Sequence, residues 1–439
     1  MLRRSAAVER SPASPRSPLP SATSSFMTPS SPAGLRLFPL VFAALSGTMA
    51  MMAFVAVIGP IVRLLGLLEW HAGLSVTAAG FLWMLLARRW GVLSDRIGRR
   101  RVMMIGLSAY AVVYIAMSVF IDLALDAPPA VWLSVLALVG ARALIGAFYA
   151  AIPPTAAAII ADHTTPQTRT STLAKLGSAN AIGMVIGPAA AGMLAVHGLE
   201  WPLYSAAALP LLSLLVIVFM LPADAPKAAD QRPQRATVTA LDARLRLPVL
   251  AAFAAMVSVS IAQVVVGFFA IDRLGLDMES GARAAGLALT AVGCALIVAQ
   301  MLVMRLKQVT PLAWIRVGAG IAAVGFASVA LCHAQAPLLA AYALGAFGMG
   351  FLFPAFQAKA ANAVQPHEQG AAAGSVASAQ GLGMVVGPLI GTSLYALSPA
   401  APYLLVGGVL AALAVAAFLT VTPSAVASAD AAPSPRAAS

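Results

Sequence analysis

A single carboxylate stands among arginines in the stretch WGVLSDRIGRRR, residues 90–101. Asp95 can accept hydrogen bonds from a helix N-terminus or pair with a guanidinium, while Gly91 permits close helix approach and Gly98 a tight turn. A charged turn at a membrane surface explains the arginines but not one acid between two spaced glycines. We therefore predict a short basic loop with a specific ion-pairing role, made by Gly91, Asp95, Arg96, Gly98, Arg99 and Arg100.

Arg142 is the second candidate, because it lies inside an apolar run with Gly146 one turn later. A charge at the centre of a bilayer costs about 2.5–3.5 kcal/mol even on lenient insertion scales. We therefore expect Arg142 to face the interior of a helix bundle and to have a partner. The alternative is a structural arginine that extends toward the membrane surface or bonds to backbone carbonyls.

Weaker candidates are the amides Gln263 and Gln300, which would line a polar path, although most such groups make interhelical hydrogen bonds. No Asp or Glu falls at the centre of an apolar segment, so Asp122 and Asp272, near segment ends, are reserve candidates for proton coupling. The two cysteines lie within apolar segments and the five histidines are scattered, so we expect no metal site, no cofactor and no enzyme.

The amino-acid composition indicates the type of secondary structure in which these residues lie. The chain has 439 residues, of which 61% are hydrophobic and 10% charged, too few polar groups to cover a soluble globule. Continuously apolar runs without strand-like alternation favour helices over a barrel. We predict an all-α membrane protein with twelve transmembrane helices, near residues 37–60, 72–87, 102–123, 130–152, 173–195, 202–221, 248–271, 285–304, 311–331, 337–356, 371–394 and 402–421.

The formal charge of +12 is explained by the unequal distribution of Lys and Arg between the two sides of the membrane, and it does not indicate a nucleic-acid partner. Arg63, Arg273 and Arg283 fall in loops on one side, Arg142 within a helix, and the remaining Lys and Arg on the other side. Such a bias places both termini in the cytoplasm. No basic stripe lies on a soluble domain, which argues against a nucleic-acid partner.

An internal repeat divides the chain. Residues 143–192 align with residues 343–392 without a gap, and both copies contain a Gly-x-x-x-Gly-Pro block. Two pseudo-symmetric six-helix halves are the economical explanation. We expect a disordered tail at 1–35, a first half at 36–221, a linker at 222–247, a second half at 248–421 and a disordered tail at 422–439, with Met1 or Met27 as the start.

These features together resemble the major facilitator superfamily, whose loop between its second and third helices has the pattern Gly-x-Leu-x-Asp-Arg-x-Gly-Arg-Arg. The pattern is matched here by Gly91, Leu93, Asp95, Arg96, Gly98, Arg99 and Arg100. The resemblance implies two halves that rock around a central cavity, with Asp95 as a cytoplasmic latch in the outward-open state. It also implies that Arg142 serves proton coupling or an anionic substrate, although Ile145 stands where the family often has Gln.

The stretch GMVIGPAAAG, residues 183–192, resembles a signature found mainly in drug/proton antiporters of that superfamily. The longer signature has a further glycine where this chain has Ala174, and the second copy supplies it as Gly374. Small residues allow close helix packing, and proline bends a helix. We expect a hinge and seal made by Gly183, Gly187, Pro188, Gly192, Gly374, Gly383, Gly387, Pro388 and Gly391.

The resemblance implies a monomeric secondary transporter of the bacterial inner membrane that exports a small organic compound in exchange for protons. The segments LLEWHAG (67–73), ARRWGVLSDRIGRRR (87–101) and VGFFAIDRLGL (266–276) also resemble exporters of carboxylate siderophores, a polyanionic cargo that would suit Arg142. A multidrug efflux pump of broad specificity is one alternative, and a nutrient importer driven by proton symport is another.

Overall fold

The computed structural model describes residues 37–164, 166–222, 242–306, 308–365 and 368–420. The two tails and most of the linker therefore lie outside the described residues, although 243–247 already form a 3-10 turn and the start of a helix. The α-helices are α1 Phe38–Leu64, α2 Glu69–Ile97, α3 Arg99–Asp126, α4 Val131–Tyr149, α5 Ile152–His163, α6 Pro166–Leu194, α7 Glu200–Met220, α8 Arg246–Asp272, α9 Met278–Arg305, α10 Pro311–Ser328, α11 Gln335–Asn362, α12 Gln369–Tyr395 and α13 Ala401–Leu419.

Among the described residues, twelve helical spans are long and apolar enough to cross a membrane, and α4 and α5 together form one of them. The prediction of twelve transmembrane helices is confirmed. Most helices extend beyond the apolar runs that predicted them. For example, α9 begins at Met278, so Arg283 lies in its early turns and not in a loop.

The second helix differs most from the prediction, because α2 ends at Ile97 and not near Ala87. The arginines interrupt the apolar run but not the helix, since Arg and Leu are strong helix formers. Only Gly98 separates α2 from α3, and its φ of 103° is a backbone conformation that side-chain-bearing residues rarely adopt. The predicted loop is thus a one-residue turn between two helix ends.

The fourth crossing is broken between Tyr149 and Ile152, where α4 gives way to α5. Pro153 and Pro154 follow this break and cannot donate backbone hydrogen bonds, which ends the first helix. The matching crossing in the second half, α11, has Phe353 and Pro354 at the equivalent positions and continues through them. The two halves therefore share a plan but not every backbone detail.

Helix packing follows the internal repeat. In the first half α1 packs on α6, α2 on α4 and α3 on α7, and the second half repeats these pairs as α8 on α12, α9 on α11 and α10 on α13. The main contacts between halves are α2 with α12 and α6 with α9, which the same symmetry exchanges. These helices, with α1 and α8, border the interface between the halves.

The bundle has two ends that we name by residues. The basic end is where α2 meets α3 at Gly98, and the Arg63 end is where α1 leads into α2. Helix directions alternate, so α8 runs from the basic end to the Arg63 end and α9 returns. This arrangement brings the ends of α1, α8 and α12 together.

Candidate functional site

An ion cluster joins the two halves at the Arg63 end. Arg63 lies 2.6 Å from Glu69 of α2 and 2.6 Å from Asp272 of α8. Tyr395 of α12 donates a 3.0 Å hydrogen bond to the same oxygen of Asp272. Phe268 lies beneath the Arg63 guanidinium, 5.7 Å from its central carbon. Asp272, a reserve candidate in the sequence, is thus a contact between halves.

Close backbone packing accompanies this cluster. An ideal Cβ built on Gly192 of α6 would lie 2.8 Å from the Cα of Gly286 on α9. One built on Gly59 of α1 would lie 3.1 Å from the backbone of α8 at Phe268. Thr77 of α2 also donates a 2.7 Å hydrogen bond to a backbone carbonyl of α12. The halves therefore meet tightly from the Arg63 end to the middle of the bundle.

Toward the basic end, the helix surfaces that contact each other at the Arg63 end lie apart. On α9 the stripe that packs at Gly286 and Gly293 continues, at helical spacing, to Ile297, Gln300 and Met304, which are all exposed. An ideal Cβ on Gly177 of α6 or Gly374 of α12 would meet no other described group within 4 Å. A cleft between the halves thus opens at the basic end, and Gln300 lies on its wall.

Asp95 lies at the rim of this cleft and is bound within its own half. Arg99 of α3 contacts Asp95 at 2.5 Å and Asp162 of α5 at 3.3 Å, and donates a hydrogen bond to Ser94. Trp90 anchors the same end of α2 by donating to the Ala147 carbonyl at 2.7 Å. Arg99, predicted as one of several anchoring arginines, is therefore the centre of a cluster that ties α2, α3 and α5.

A second cluster ties the second half at the same end. Arg244, just before α8, contacts Asp242 at 2.7 Å and Glu368, at the start of α12, at 3.1 Å. The pKa of the Asp242 carboxyl lies below its ordinary value, mainly because the Arg244 side chain donates hydrogen bonds to it. Each half thus has an arginine with two carboxylates beside the open cleft. The sequence repeat did not indicate the Arg244 cluster, since Asp242 and Arg244 lie outside the aligned blocks and Glu368 aligns with Thr168.

Arg142 is fully buried within the first half, as predicted, but its partners differ from the expected ones. The guanidinium lies over the ring of Phe54, 4.6 Å from the centroid, and one nitrogen lies 3.6 Å from the sulfur of Met51. Its Nε has no hydrogen-bond partner among the described residues. No carboxylate contacts Arg142 in the part of the chain that the structure describes, so its charge is held by an aromatic face and a thioether.

A polar contact that the sequence did not single out lies on the first-half helices α1, α4 and α6. The Thr48 hydroxyl is 2.7 Å from the Tyr149 hydroxyl and 2.8 Å from the Asn180 amide oxygen. Thr48 and Asn180 were two of several polar residues in apolar segments, and spacing alone does not show that they meet. Buried hydroxyl and amide groups require such partners.

The remaining candidates occupy separate places. Gln263 is half-buried on α8, one turn before Gly267, which packs near Gly59 of α1. Asp122 accepts a 2.7 Å hydrogen bond from Tyr204, between α3 and α7. Because these two helices pack mainly within the first half, Asp122 lies away from the cleft. The structure thus brings Gln300 to the cleft and Asp272 to the ion cluster at the Arg63 end, but does not gather all candidates into one site.

The Gly-Pro blocks pack mostly within each half. Ideal Cβ atoms on Gly183 and Gly187 would lie 2.6 Å from carbonyl oxygens of α1. Gly383, Gly387 and Gly391 approach α8 in the same way. Pro188 and Pro388 lie inside α6 and α12 without ending them. Gly192, by contrast, contacts the other half.

This difference yields a paired prediction. We expect Gly187→Val to lower stability by about 1–3 kcal/mol, because the added side chain collides with α1 of the same half. Gly192→Val should keep the yield of folded protein but block transport, because it separates the halves at the Arg63 end. Melting curves and transport per folded molecule measure both effects. Normal stability of Gly187→Val with lost transport would instead support the hinge hypothesis.

Comparison with known proteins decides the family. The sequence profile of the Major Facilitator Superfamily matches residues 40–337 and 283–438. The chain belongs to the major facilitator superfamily. It is 28% identical to the class C tetracycline resistance protein of Escherichia coli over 75% of this chain and 81% of that protein. A shorter alignment, 34% identical over 33% of this chain and 26% of the other, matches the multidrug efflux pump LfrA of Mycolicibacterium smegmatis.

The fold of a solved major facilitator superfamily transporter also matches. A bacterial homologue of the human lysosomal transporter Spinster, in an inward-facing and occupied conformation, superimposes with a TM-score of 0.71 at 15% identity. The alignment covers 87% of this chain and 95% of that one. The chain is therefore a multi-pass membrane transporter and not an enzyme, and its efflux relatives agree with the antiporter-like signature at Gly183.

Proposed function

We propose that this transporter exports a small organic compound across the bacterial cytoplasmic membrane in exchange for protons, acting as a monomer. The observation that carries the proposal is the alignment of three quarters of the chain with a tetracycline resistance protein. The shorter alignment with a multidrug efflux pump supports the same direction. The cargo would therefore be drug-like or siderophore-like.

The geometry fits an alternating-access cycle. With the basic end in the cytoplasm, as the Lys and Arg bias predicts, the cleft beside Gln300 would receive cargo from inside the cell. The Arg63 cluster would then be the outer seal. Asp95 would serve as the cytoplasmic latch after the halves rock, because it lies exposed at the rim. We assign no fixed order to cargo binding and proton binding.

Proton coupling is proposed to involve Asp272 and Glu69 at the seal. Protonation of Asp272 would remove the negative charge that pairs with Arg63 across the interface and so weaken the contact between halves. Arg142 is proposed to act in coupling within the first half, because it is buried and does not line the cleft in this conformation. Gln263 would adjust the packing between α1 and α8.

A carboxylate siderophore is the second cargo class, and Arg142 is the observation that favours it. A buried guanidinium without a carboxylate partner in the described residues can attract an anion once the halves move. A drug-like cargo instead suits the exposed apolar side chains Ile297 and Met304 on the cleft wall. The two classes differ in the charge of the cargo.

The test uses inside-out vesicles that carry the wild-type protein or no transporter. With an imposed proton gradient, we expect tetracycline or a citrate-type hydroxycarboxylate siderophore to accumulate and to release protons, seen as dequenching of a pH-sensitive dye. Accumulation of one compound alone identifies the cargo class. Uptake only into right-side-out vesicles would contradict export and favour the importer.

A further inference from the structure

A groove at the basic end is lined by three arginines that have no joint role in the transport cycle proposed above. It lies on α2, has a volume of about 510 Å³ and is lined by Leu85, Arg88, Arg89, Val92, Leu93 and Arg96. The side chains of Arg88, Arg89 and Arg96 are exposed and make no hydrogen bond or ion pair with the described residues. The groove therefore combines unsatisfied positive charge with aliphatic walls.

Helix geometry shows which way this groove faces. Gly73 and Thr77 of α2 contact α12, and Ala79 and Trp90 contact α4. At 3.6 residues per turn, Arg89 and Arg96 lie on the side of α2 opposite the mean direction of these contacts. Leu85, Arg89 and Arg96 therefore face the surrounding membrane, and Arg88 lies at the border between the membrane and the cleft.

The depth of the groove matches the boundary between hydrocarbon and headgroups. With 29 residues, α2 is about 43 Å long, whereas the hydrocarbon core is about 30 Å thick. Its last turns therefore reach the headgroup layer. Arg88 and Arg96 are about 12 Å apart along the axis, so the arginines extend from that layer down to the aliphatic Leu85.

We propose that this groove binds an anionic phospholipid, whose phosphate is held by Arg88, Arg89 and Arg96 and whose acyl chain lies along Leu85, Val92 and Leu93. Guanidinium groups bind phosphate oxygens through paired N–H donors. The aliphatic wall would contact an acyl chain, which a lipid has and a free phosphate lacks. The exposed acid on this part of α2, Asp95, is engaged by Arg99. The proposal does not depend on the direction of transport.

The test compares lipid retention by the wild type and by Arg88→Gln/Arg89→Gln, two positions outside the Asp95 motif. Protein is purified from vesicles of phosphatidylcholine mixed with phosphatidylglycerol, and bound lipid is counted by native mass spectrometry. We expect phosphatidylglycerol retention to fall at least about 100-fold in the variant, at about tenfold for each arginine whose charge-assisted hydrogen bond to the phosphate is lost. Melting in phosphatidylcholine alone should match the wild type, because neither side chain has a partner in the described residues.

The matched control is Arg101→Gln/Arg305→Gln, which removes two exposed arginines from the basic end outside the groove. It should retain phosphatidylglycerol as the wild type does. Equal retention by the groove variant and the wild type would overturn the proposal. An equal loss in the control would show a diffuse attraction to charged lipid and would also overturn it. Stabilisation by inorganic phosphate in phosphatidylcholine, as strong as by phosphatidylglycerol, would contradict a lipid ligand.

Discussion

Replacing Arg142 with methionine is expected to give a folded, more heat-resistant protein that no longer transports. Arg142 is fully buried against Met51 and Phe54, so a methionine can fill its place and keep the apolar contacts. Removing a buried charge that lacks a carboxylate partner in the described residues should stabilise the fold by about 1–4 kcal/mol. Transport should fall at least about 100-fold if the charge serves coupling, equivalent to a loss of about 2.7 kcal/mol.

Arg316→Met is the matched control for this experiment. Arg316 of α10 donates to the backbone carbonyls of Ala417 at 2.9 Å and Thr420 at 3.1 Å, and lies over Phe418. Since its hydrogen bonds are satisfied, its loss should lower stability and leave transport per folded molecule near the wild-type value. Thermal melting and vesicle transport measure both variants. Normal transport by Arg142→Met would show that Arg142 is only a packing residue.

The second large effect is expected at the seal between halves. Asp272→Asn should weaken the contacts with Arg63 and Tyr395 by about 1–3 kcal/mol, because hydrogen bonds to a charged group are lost. The population should shift about 5- to 150-fold toward the state that is closed at the basic end. Proton-driven transport should fail, because the seal would no longer respond to a proton on Asp272.

Spin labels can report this shift directly. Gly177→Cys on α6 and Met304→Cys on α9, in a background without Cys294 and Cys332, place two labels on opposite walls of the cleft. Gly177 accepts a side chain without a collision. We expect the distance between labels to shorten in Asp272→Asn.

The control for Asp272→Asn is Asp122→Asn, which makes the same chemical change but breaks the bond to Tyr204 within the first half. The distance between labels should then match the wild type. An unchanged distance in Asp272→Asn would exclude a sealing role for this cluster. A shorter distance with normal proton coupling would keep the seal and exclude Asp272 from coupling.

The sequence predicts the features that depend on local composition. Apolar run length predicted twelve crossings, and the Gly-Pro blocks predicted close helix packing but not that α6 packs on α1 and α12 on α8. The length of α2 was underestimated because charges end an apolar run before they end a helix. The burial of Arg142 was predictable from its place in such a run.

The long-range pairings could not be predicted in the same way. Arg63 and Asp272 are 209 positions apart, and each alone is a single charge near a helix end. Their contact depends on how the halves are tilted, which no local pattern records. Arg99 and Asp162 are likewise 63 positions apart, and their contact depends on how α5 packs beside α2 and α3.

The contacts of the two ends also differ in side-chain freedom. At the Arg63 end glycine backbones meet, at Gly192 with Gly286 and at Gly59 with Gly267, so the side chains fixed by closing that end are those of the ion cluster around Arg63. At the basic end the facing side chains include Ile297, Gln300 and Met304, and fixing such a side chain costs about 0.5–1.5 kcal/mol of rotamer entropy. Rising temperature should therefore add to the free-energy cost of closing the basic end, through the rotamer entropy that these side chains lose.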